Sequence, residues 1–93
     1  MSNHSPNCTG SIQVHVIRAG APLASAALTV VECPPDASVI DVAPLTNVHG
    51  FAQMDDLQEG TWCVQALGFS GETGQGCCQV RRGCSTTLII HVR

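Results

Sequence analysis

Six cysteines give this 93-residue chain its widest range of available chemistry. Each is a candidate for a structural disulfide: Cys8, Cys33, Cys63, Cys77, Cys78 and Cys84. No C-x-x-C motif occurs, and the adjacent pair at 77–78 followed by a cysteine at 84 does not have the spacing of a zinc site. Structural disulfides are the favoured interpretation. Free thiols and a cysteine-based redox or metal-binding module remain alternatives.

Two histidines, His15 and His91, fall on polar positions of the first and last alternating runs of the sequence. Imidazoles bind metal ions and change charge near neutral pH, so the pair is a weak candidate for half of a metal site or for a pH-sensitive contact. Two ligands do not complete a metal site, and solvated surface residues are the preferred interpretation. We expect neither a bound metal nor a cofactor.

Catalytic motifs are missing from the sequence. No serine lies in a G-x-S-x-G context, and "GETGQG" lacks the lysine of a phosphate-binding loop and precedes no helix. Asp55 and Asp56 are adjacent, so they point to opposite sides of the chain and make a poor carboxylate pair. The sequence therefore predicts a protein that is not an enzyme.

Composition narrows the class of partner. Apolar residues make up 44% of the chain and charged residues 12%, which is typical of a globular domain. The net charge is −3, and the four basic residues are all arginine, so we expect no nucleic-acid partner. No apolar run approaches the roughly 18–20 residues of a membrane span, so membrane insertion is not expected either. Another protein is the predicted partner.

The compartment is not determined by these features. The first ten residues, "MSNHSPNCTG", have neither the basic nor the apolar region of a secretory signal. A cytoplasmic location, export by a route that needs no signal, or an earlier removal of a leader all fit this start. Six cysteines in so short a chain would instead suit an oxidising compartment.

Apolar residues alternate with polar ones along almost the whole chain, which predicts β-strands. The positions predicted to face the core are Ile12, Val14, Val16, Ala26, Leu28, Val30, Trp62, Val64, Ala66, Cys78, Val80, Leu88, Ile90 and Val92. The same alternation points Cys33, Cys63 and Cys77 outward. Seven short strands separated by Gly, Pro and Asn turns predict an all-β fold, a seven-stranded antiparallel Greek-key β-sandwich.

The sequence also predicts several of the turns and loops that connect the strands. "NVHG" predicts a tight turn, "DDLQEG" a second turn, and "GETGQG" a flexible connection. The segment 38–46 predicts a weak edge strand because it contains Pro44. "FAQMDDLQEGTWCVQALG" predicts a central hairpin in which Gly60 permits the reversal. We expect residues 1–9 to form a flexible segment and residues 10–93 a single domain.

The order of these motifs resembles a known family. "GSIQVHVIRAGAPLASAALTV", with its strand, glycine turn and "PLxxA" step, and "TNVHGFAQMDDLQEGTWCVQALG" look like the carboxypeptidase regulatory-like domains of the transthyretin (prealbumin-like) superfamily. The resemblance covers about residues 10–92. It implies that the first and last strands are neighbours in one sheet, that Leu57 and Trp62 close one end of the core, and that Trp62 is a core residue.

The same superfamily contains hydroxyisourate hydrolase, whose first strand resembles this one around His15 and Val16. The turn of that enzyme family reads T-N-x-D-G-R and its arginine helps to hold the substrate, whereas this chain reads "TNVHGF", with His49 at the aspartate position and Phe51 at the arginine position. The family's Y-R-G-S tail is also missing after His91. A hydroxyisourate-hydrolase-like enzyme with an incomplete site is therefore an alternative hypothesis.

The preferred hypothesis is a non-catalytic module for protein–protein interaction or structural support. Domains of the resembling family are appended to peptidases, to surface and adhesive proteins and to secretion spikes, which suggests an adaptor that docks a partner. The predicted contact surfaces are an exposed edge strand and the outward apolar residues Val31, Leu67 and Phe69. Sandwiches with open edges often dimerise, so a homodimer is a further expectation.

Overall fold

A computed structural model describes residues 9–35 and 44–93 of the chain. Seven strands occur there: β1 (Thr9–Arg18), β2 (Ala21–Pro22), β3 (Ala27–Glu32), β4 (Phe51–Gln58), β5 (Gly60–Leu67), β6 (Thr73–Val80) and β7 (Ser85–Val92). Cys8 and most of the strand predicted for residues 38–46 lie outside the described residues. Within the described part, no helix is long and apolar enough to cross a membrane.

The strands form two sheets that pack as an all-β sandwich. In the first sheet β1 is central, with β7 on one side and β4 followed by β2 on the other. The second sheet has the order β3-β5-β6. All pairs are antiparallel except that of β1 and β7, which is parallel. The expectation that the first and last strands are neighbours is therefore confirmed.

The core lies between the sheets and follows the predicted alternation. Its fully buried members include Ile12, Val14, Leu28, Trp62 and Val64. Leu57 is also buried, and the indole N–H of Trp62 donates a 2.7 Å hydrogen bond to the carbonyl oxygen of Gln58. The tryptophan is thus a core residue with its one polar atom satisfied, which is the usual requirement for a buried indole.

The central hairpin is not present, because β4 and β5 belong to different sheets. β4 pairs with β1, and β5 pairs with β3 and β6, so the chain crosses from one layer to the other at Gln58–Gly60. Gly60 makes this crossing with φ 144°, and the ring of Pro34 occupies the space where a side chain would lie. The crossing lets Leu57 and Trp62 enter one core from opposite layers.

"DDLQEG" is not a turn over its whole length, because β4 continues to Gln58. The register between β1 and β4 shifts between Gly10 and Ile12, opposite Asp55 and Asp56. Asp56 has φ 58°, so the two aspartates form a β-bulge within the strand. By contrast, the "NVHG" turn is confirmed by a 2.9 Å bond from the N–H of Gly50 to the carbonyl of Asn47.

"GETGQG" also differs from its prediction, since Thr73–Gly76 is the first half of β6 rather than a flexible connection. Gly74 and Gly76 occupy inward positions of this strand. A side chain at Gly74 would collide with the backbone carbonyl of His91, and one at Gly76 would meet Leu88 and Ile90. These glycines are needed because β6 and β7 approach each other closely where the two sheets meet.

Cys33 was predicted to face outward, and this is wrong. The register between β3 and β5 shifts between Val30 and Glu32, so Val31 is an extra residue and the alternation is displaced by one position. Cys33 is consequently packed against the core. Cys78, predicted to face inward, is also packed against the core, and this burial raises the pKa of its thiol.

Candidate functional site

An exposed apolar row crosses the outer face of the β3-β5-β6 sheet at one end. Ala27 of β3 pairs with Leu67 of β5 on one side and with Leu45 on the other. Paired residues on neighbouring strands project from the same face of a sheet. Leu67 is 51% exposed and Leu45 is 61% exposed, so both aliphatic side chains are available for contact. We call Leu45, Ala27 and Leu67 the apolar row.

Leu45 holds this position because a buried threonine anchors the segment on which it lies. The hydroxyl of Thr46 donates to the carbonyl of Leu23 at 2.7 Å and accepts from the N–H of Ala26 at 2.9 Å. Backbone bonds join Thr46 to Ala26 and Ser25, and Pro44 to Leu28, along the edge of β3. These hydrogen bonds therefore hold Leu45 beside β3.

Phe69 stands next to the apolar row, at the tip of the loop between β5 and β6. It is 94% exposed, the highest value among the large apolar residues of the described chain. The loop is closed by bonds from the N–H of Gly68 to the carbonyl of Glu72 at 2.7 Å and from the N–H of Gly71 to the carbonyl of Gly68 at 3.2 Å. The phenyl ring is thus presented to solvent from a hydrogen-bonded loop.

The buried carboxylate of Glu72 braces this loop from inside. One carboxylate oxygen accepts the N–H of Ser70 at 2.9 Å, and the other lies 3.4 Å from Nε of Arg18. The pKa of Glu72 is lowered mainly by hydrogen bonds to its carboxylate, the largest effect coming from its own backbone N–H and the next from the backbone N–H of Ser70. The guanidinium of Arg18 lowers this pKa by a smaller amount, and burial of the carboxylate acts in the opposite direction. The ionised form is therefore the one that the folded loop favours.

Val31 was grouped with Leu67 and Phe69 in the sequence prediction, and it is 47% exposed. It lies four residues beyond Ala27 along β3, which is roughly 13 Å at the usual rise of a strand. Phe69 follows Leu67 of the apolar row by two residues, whereas Val31 lies near the opposite end of β3. Leu45 was missed, because the alternation of residues does not reveal which strand the segment around Pro44 pairs with.

One disulfide is present among the described cysteines, between Cys63 and Cys77. The two residues are direct partners on β5 and β6, and both belong to the outer face that the alternation predicted. Cys33, Cys78 and Cys84 are free thiols. In residues 9–35 and 44–93 no three His, Cys, Asp or Glu side chains come together in an arrangement that could hold a metal ion.

His15 and His91 are on the same face of the other sheet but are not direct partners. In the parallel pair His15 is opposite Ile89, and His91 is opposite Ile17, one step further along. The ring of His15 stacks on Phe51 with centroids 4.0 Å apart and planes at 14°. The residue that replaces the hydrolase arginine thus covers the histidine with a hydrocarbon ring, which offers no group for holding an anionic substrate.

A shallow polar depression lies at the opposite end of the sandwich from Phe69, lined by residues 9–11, 55–56 and 83–85. Its walls are largely backbone, small hydroxyl side chains and the two aspartates of the bulge. Ligand sites usually combine an enclosed apolar wall with a few converging polar groups. This depression does not have that character, and the exposed apolar surface around Phe69 is the stronger candidate.

Comparisons with known proteins identify similar folds but do not assign this chain to a family. No model of a known protein family matches the sequence, and no curated protein matches it. Solved structures do match over 91% of this chain: a TIE protein of Bacillus anthracis (TM-score 0.71, 17% identity), a minor pilin of Streptococcus agalactiae (0.71, 15%) and the major pilin subunit of Bacillus cereus (0.61, 12%).

At such identities these likenesses concern the fold alone, and they agree with a β-sandwich. This chain spans 16%, 44% and 30% of the three proteins, in the same order. Its fold is therefore one that occurs as a single module within longer proteins. What those longer proteins do is not transferred by the likeness, since one fold hosts many functions.

Proposed function

We propose that this domain is a non-catalytic β-sandwich module that binds another protein through Phe69 and the apolar row. The sequence resemblance to carboxypeptidase regulatory-like domains supports the same class of role, that of an accessory domain. The solved structures that share its fold are pilins and a TIE protein, which fits a structural module of a larger assembly.

The observation that carries the proposal is the exposure of Phe69 on a braced loop. Keeping an aromatic ring 94% exposed to water is unfavourable relative to burying it, so transfer of the Phe69 ring from water into an apolar surface of a partner favours binding. Because the loop is closed by hydrogen bonds, little conformational entropy is lost when a partner covers the ring. Protein interfaces concentrate their binding energy in a few such aromatic anchors.

Leu67 and Leu45 extend the anchor into a contact surface. They flank Ala27, whose small side chain lies between the two leucines. The rest of this sheet face is formed mostly by uncharged residues: Thr29, Gln65, Thr73 and Gln75. An apolar centre with an uncharged polar border is typical of a protein-binding surface. The partner expected here is a folded protein with an apolar pocket for Phe69.

Affinity capture from the native source tests this proposal. The immobilised domain is compared with the double variant Leu67→Asp/Phe69→Asp and with Val31→Asp, a matched control of similar exposure on the same sheet face. Loss of the Phe69 ring is expected to weaken the binding free energy by about 2 kcal/mol and loss of the Leu67 side chain by about 1 kcal/mol. The double variant should therefore bind about 100-fold more weakly. A partner retained equally by all three proteins, with unchanged far-ultraviolet spectra, would refute the proposed surface.

A further inference from the structure

The disulfide between Cys63 and Cys77 is asymmetric, because its two sulfurs belong to residues with different access to solvent. Cys63 lies on β5, the central strand of its sheet, and is only 4% exposed. Cys77 lies on β6, the last strand of the same sheet, and is exposed. A thiolate can attack a disulfide at either sulfur, and access helps to decide which one reacts. Exposure therefore favours attack at Cys77.

Glu32 strengthens this asymmetry from the side of β3. The register places Glu32 opposite Cys63, which is in turn opposite Cys77, so the three residues form a row across the sheet. A carboxylate oxygen of Glu32 lies 3.9 Å from Sγ of Cys63. A thiolate approaches a disulfide sulfur from the side opposite the sulfur that leaves, so attack at Cys63 has to come from the side of β3. There the negative carboxylate would repel it.

The surroundings of the bridge on β5 and β6 are uncharged. The outward pairs next to it are Thr61 with Gln79 on one side and Gln65 with Gln75 on the other. The hydroxyl of Thr61 donates to Oε1 of Gln79 at 2.8 Å, so this pair is already satisfied. A thiolate that approaches Cys77 therefore meets none of the charge repulsion that it would meet beside Cys63.

The thiol next to the bridge in the sequence does not compete for it. Cys78 points to the opposite side of β6 from Cys77 and packs against the core. Burial raises the pKa of the Cys78 thiol, which leaves less of the nucleophilic thiolate. Cys63, by contrast, is the direct strand partner of Cys77, with their Cα atoms 4.0 Å apart. Once released, Cys63 stays beside the sulfur that it left.

We propose that Cys77 is a site of reversible S-thiolation, at which a low-molecular-weight thiol exchanges into the bridge. The incoming thiolate forms a bond to Sγ of Cys77, the bond between the two cysteine sulfurs breaks, and Cys63 leaves with the electron pair and takes a proton from water. In the reverse step the thiolate of Cys63 attacks Sγ of Cys77 and expels the small thiol. The disulfide is itself the oxidant, so neither direction needs another one.

The sheet should remain folded while the bridge is open. β5 and β6 are joined by eight residue pairs in register, and the disulfide connects one of them. The backbone ladder therefore holds the two strands together without it. Cys63 precedes Leu67 by four residues of β5, which is roughly 13 Å, and the exchange uses no contact of Phe69. This proposal and the proposed protein-binding function can therefore fail independently.

Reaction of the folded, oxidised protein with reduced glutathione tests the proposal. N-ethylmaleimide stops the reaction and blocks the released thiol, and peptide mapping by mass spectrometry then locates both groups. We expect glutathione on Cys77 and maleimide on Cys63. The rate of opening should rise in proportion to the concentration of glutathione thiolate and should hardly change with small additions of urea, because the attacked sulfur is accessible in the folded state.

Variants with a single bridge cysteine measure the difference in access. Cys63→Ser and Cys77→Ser are each made together with Cys84→Ser, which removes the exposed free thiol. With oxidised glutathione, Cys77 of the first variant should form the mixed disulfide at least about tenfold faster than Cys63 of the second. Cys84→Ser alone keeps the bridge and should react with reduced glutathione as wild type does.

The opposite results would overturn the inference. Glutathione found on Cys63, or equally on both cysteines of the wild-type protein, would refute the assigned direction of attack. A bridge that glutathione leaves intact in the folded protein, or that opens steeply faster with small additions of urea, would show that exchange requires unfolding. Equal rates for the two single-cysteine variants, with native far-ultraviolet spectra, would show that access does not distinguish the two sulfurs. The mapping of wild type decides the point even where a variant fails to fold.

Discussion

The carboxylate of Glu72 lies 3.4 Å from the guanidinium of Arg18, and this ion pair joins the two sheets directly beside the loop that carries Phe69. Arg18 ends the central strand of one sheet, while Glu72 precedes the edge strand of the other. The arginine is largely exposed, so the pair by itself contributes little to stability. Its importance lies in the geometry of the loop, since the same carboxylate also holds the backbone of Ser70.

Acidification should loosen this loop. The pKa of Glu72 is lower in the folded protein than in the unfolded chain, so its contribution to stability is present above the unfolded pKa of about 4.3 and is lost as the pH falls through the folded value. Unfolding by urea, followed by the fluorescence of Trp62, should show this loss below about pH 4. Glu72→Gln should lack that part of the pH dependence; an identical profile for both proteins would contradict the assigned role.

Removal of the disulfide should destabilise the domain without changing its fold. Cys63 and Cys77 are separated by 14 residues, and a bridge closing a loop of that size stabilises by about 3 kcal/mol. Cys63→Ser/Cys77→Ser should therefore unfold at a lower urea concentration, with a native far-ultraviolet spectrum. Cys84→Ser, at an exposed free thiol, is the control and should change stability by less than about 0.5 kcal/mol. Equal midpoints for the double variant and wild type would show that the bridge has no such role.

An alanine at Gly74 should be poorly tolerated. Its side chain would press on the backbone of His91, which cannot move aside as a flexible side chain can, and overpacking of this kind costs about 1–3 kcal/mol. Gln75→Ala, on the exposed side of the same strand, should change stability by less than about 0.5 kcal/mol. If both variants melt at the same temperature as wild type, β6 and β7 are not as close as described.

Thr46→Val should detach the segment that carries Leu45. Valine has nearly the same shape, but it leaves the N–H of Ala26 and the carbonyl of Leu23 without their side-chain partner, at a cost of about 1–3 kcal/mol. Thr46→Ser keeps the hydroxyl and should retain most of the stability. Chemical denaturation compares the three proteins, and a valine variant as stable as the serine variant would show that the hydroxyl does not anchor this edge.

Much of the sandwich follows from the two-residue alternation of the sequence. The inward sets of β1, β5 and β7 were predicted correctly, because in each of these strands the buried apolar residues recur at every second position without interruption. The bulges at Val31 and Asp56 could not be predicted, since one extra residue is visible only against the partner strand. Cys33 was misplaced for this reason.

The glycines of β6 were misread for a related reason. Local propensity assigns Gly74 and Gly76 to a flexible connection, and the close approach of β7, which is distant in sequence, is what makes glycine necessary there. The hairpin predicted for β4 and β5 is wrong for a similar reason, because adjacency in the sequence does not determine which sheet a strand joins. Of the proposed surface, the sequence alone suggests Leu67 and Phe69, whereas Leu45 joins it only through its pairing with Ala27.

Site-specific photo-crosslinking tests most directly which surface contacts a partner. A benzophenone amino acid is placed at position 69 in one variant and, for comparison, at position 31 and at position 53 in two others, and each protein is irradiated in an extract of the native source. We expect one discrete adduct with another protein from position 69 and none of that mass from the other two positions. An adduct that forms equally from all three, or that forms from position 31 or 53 and not from position 69, would contradict it.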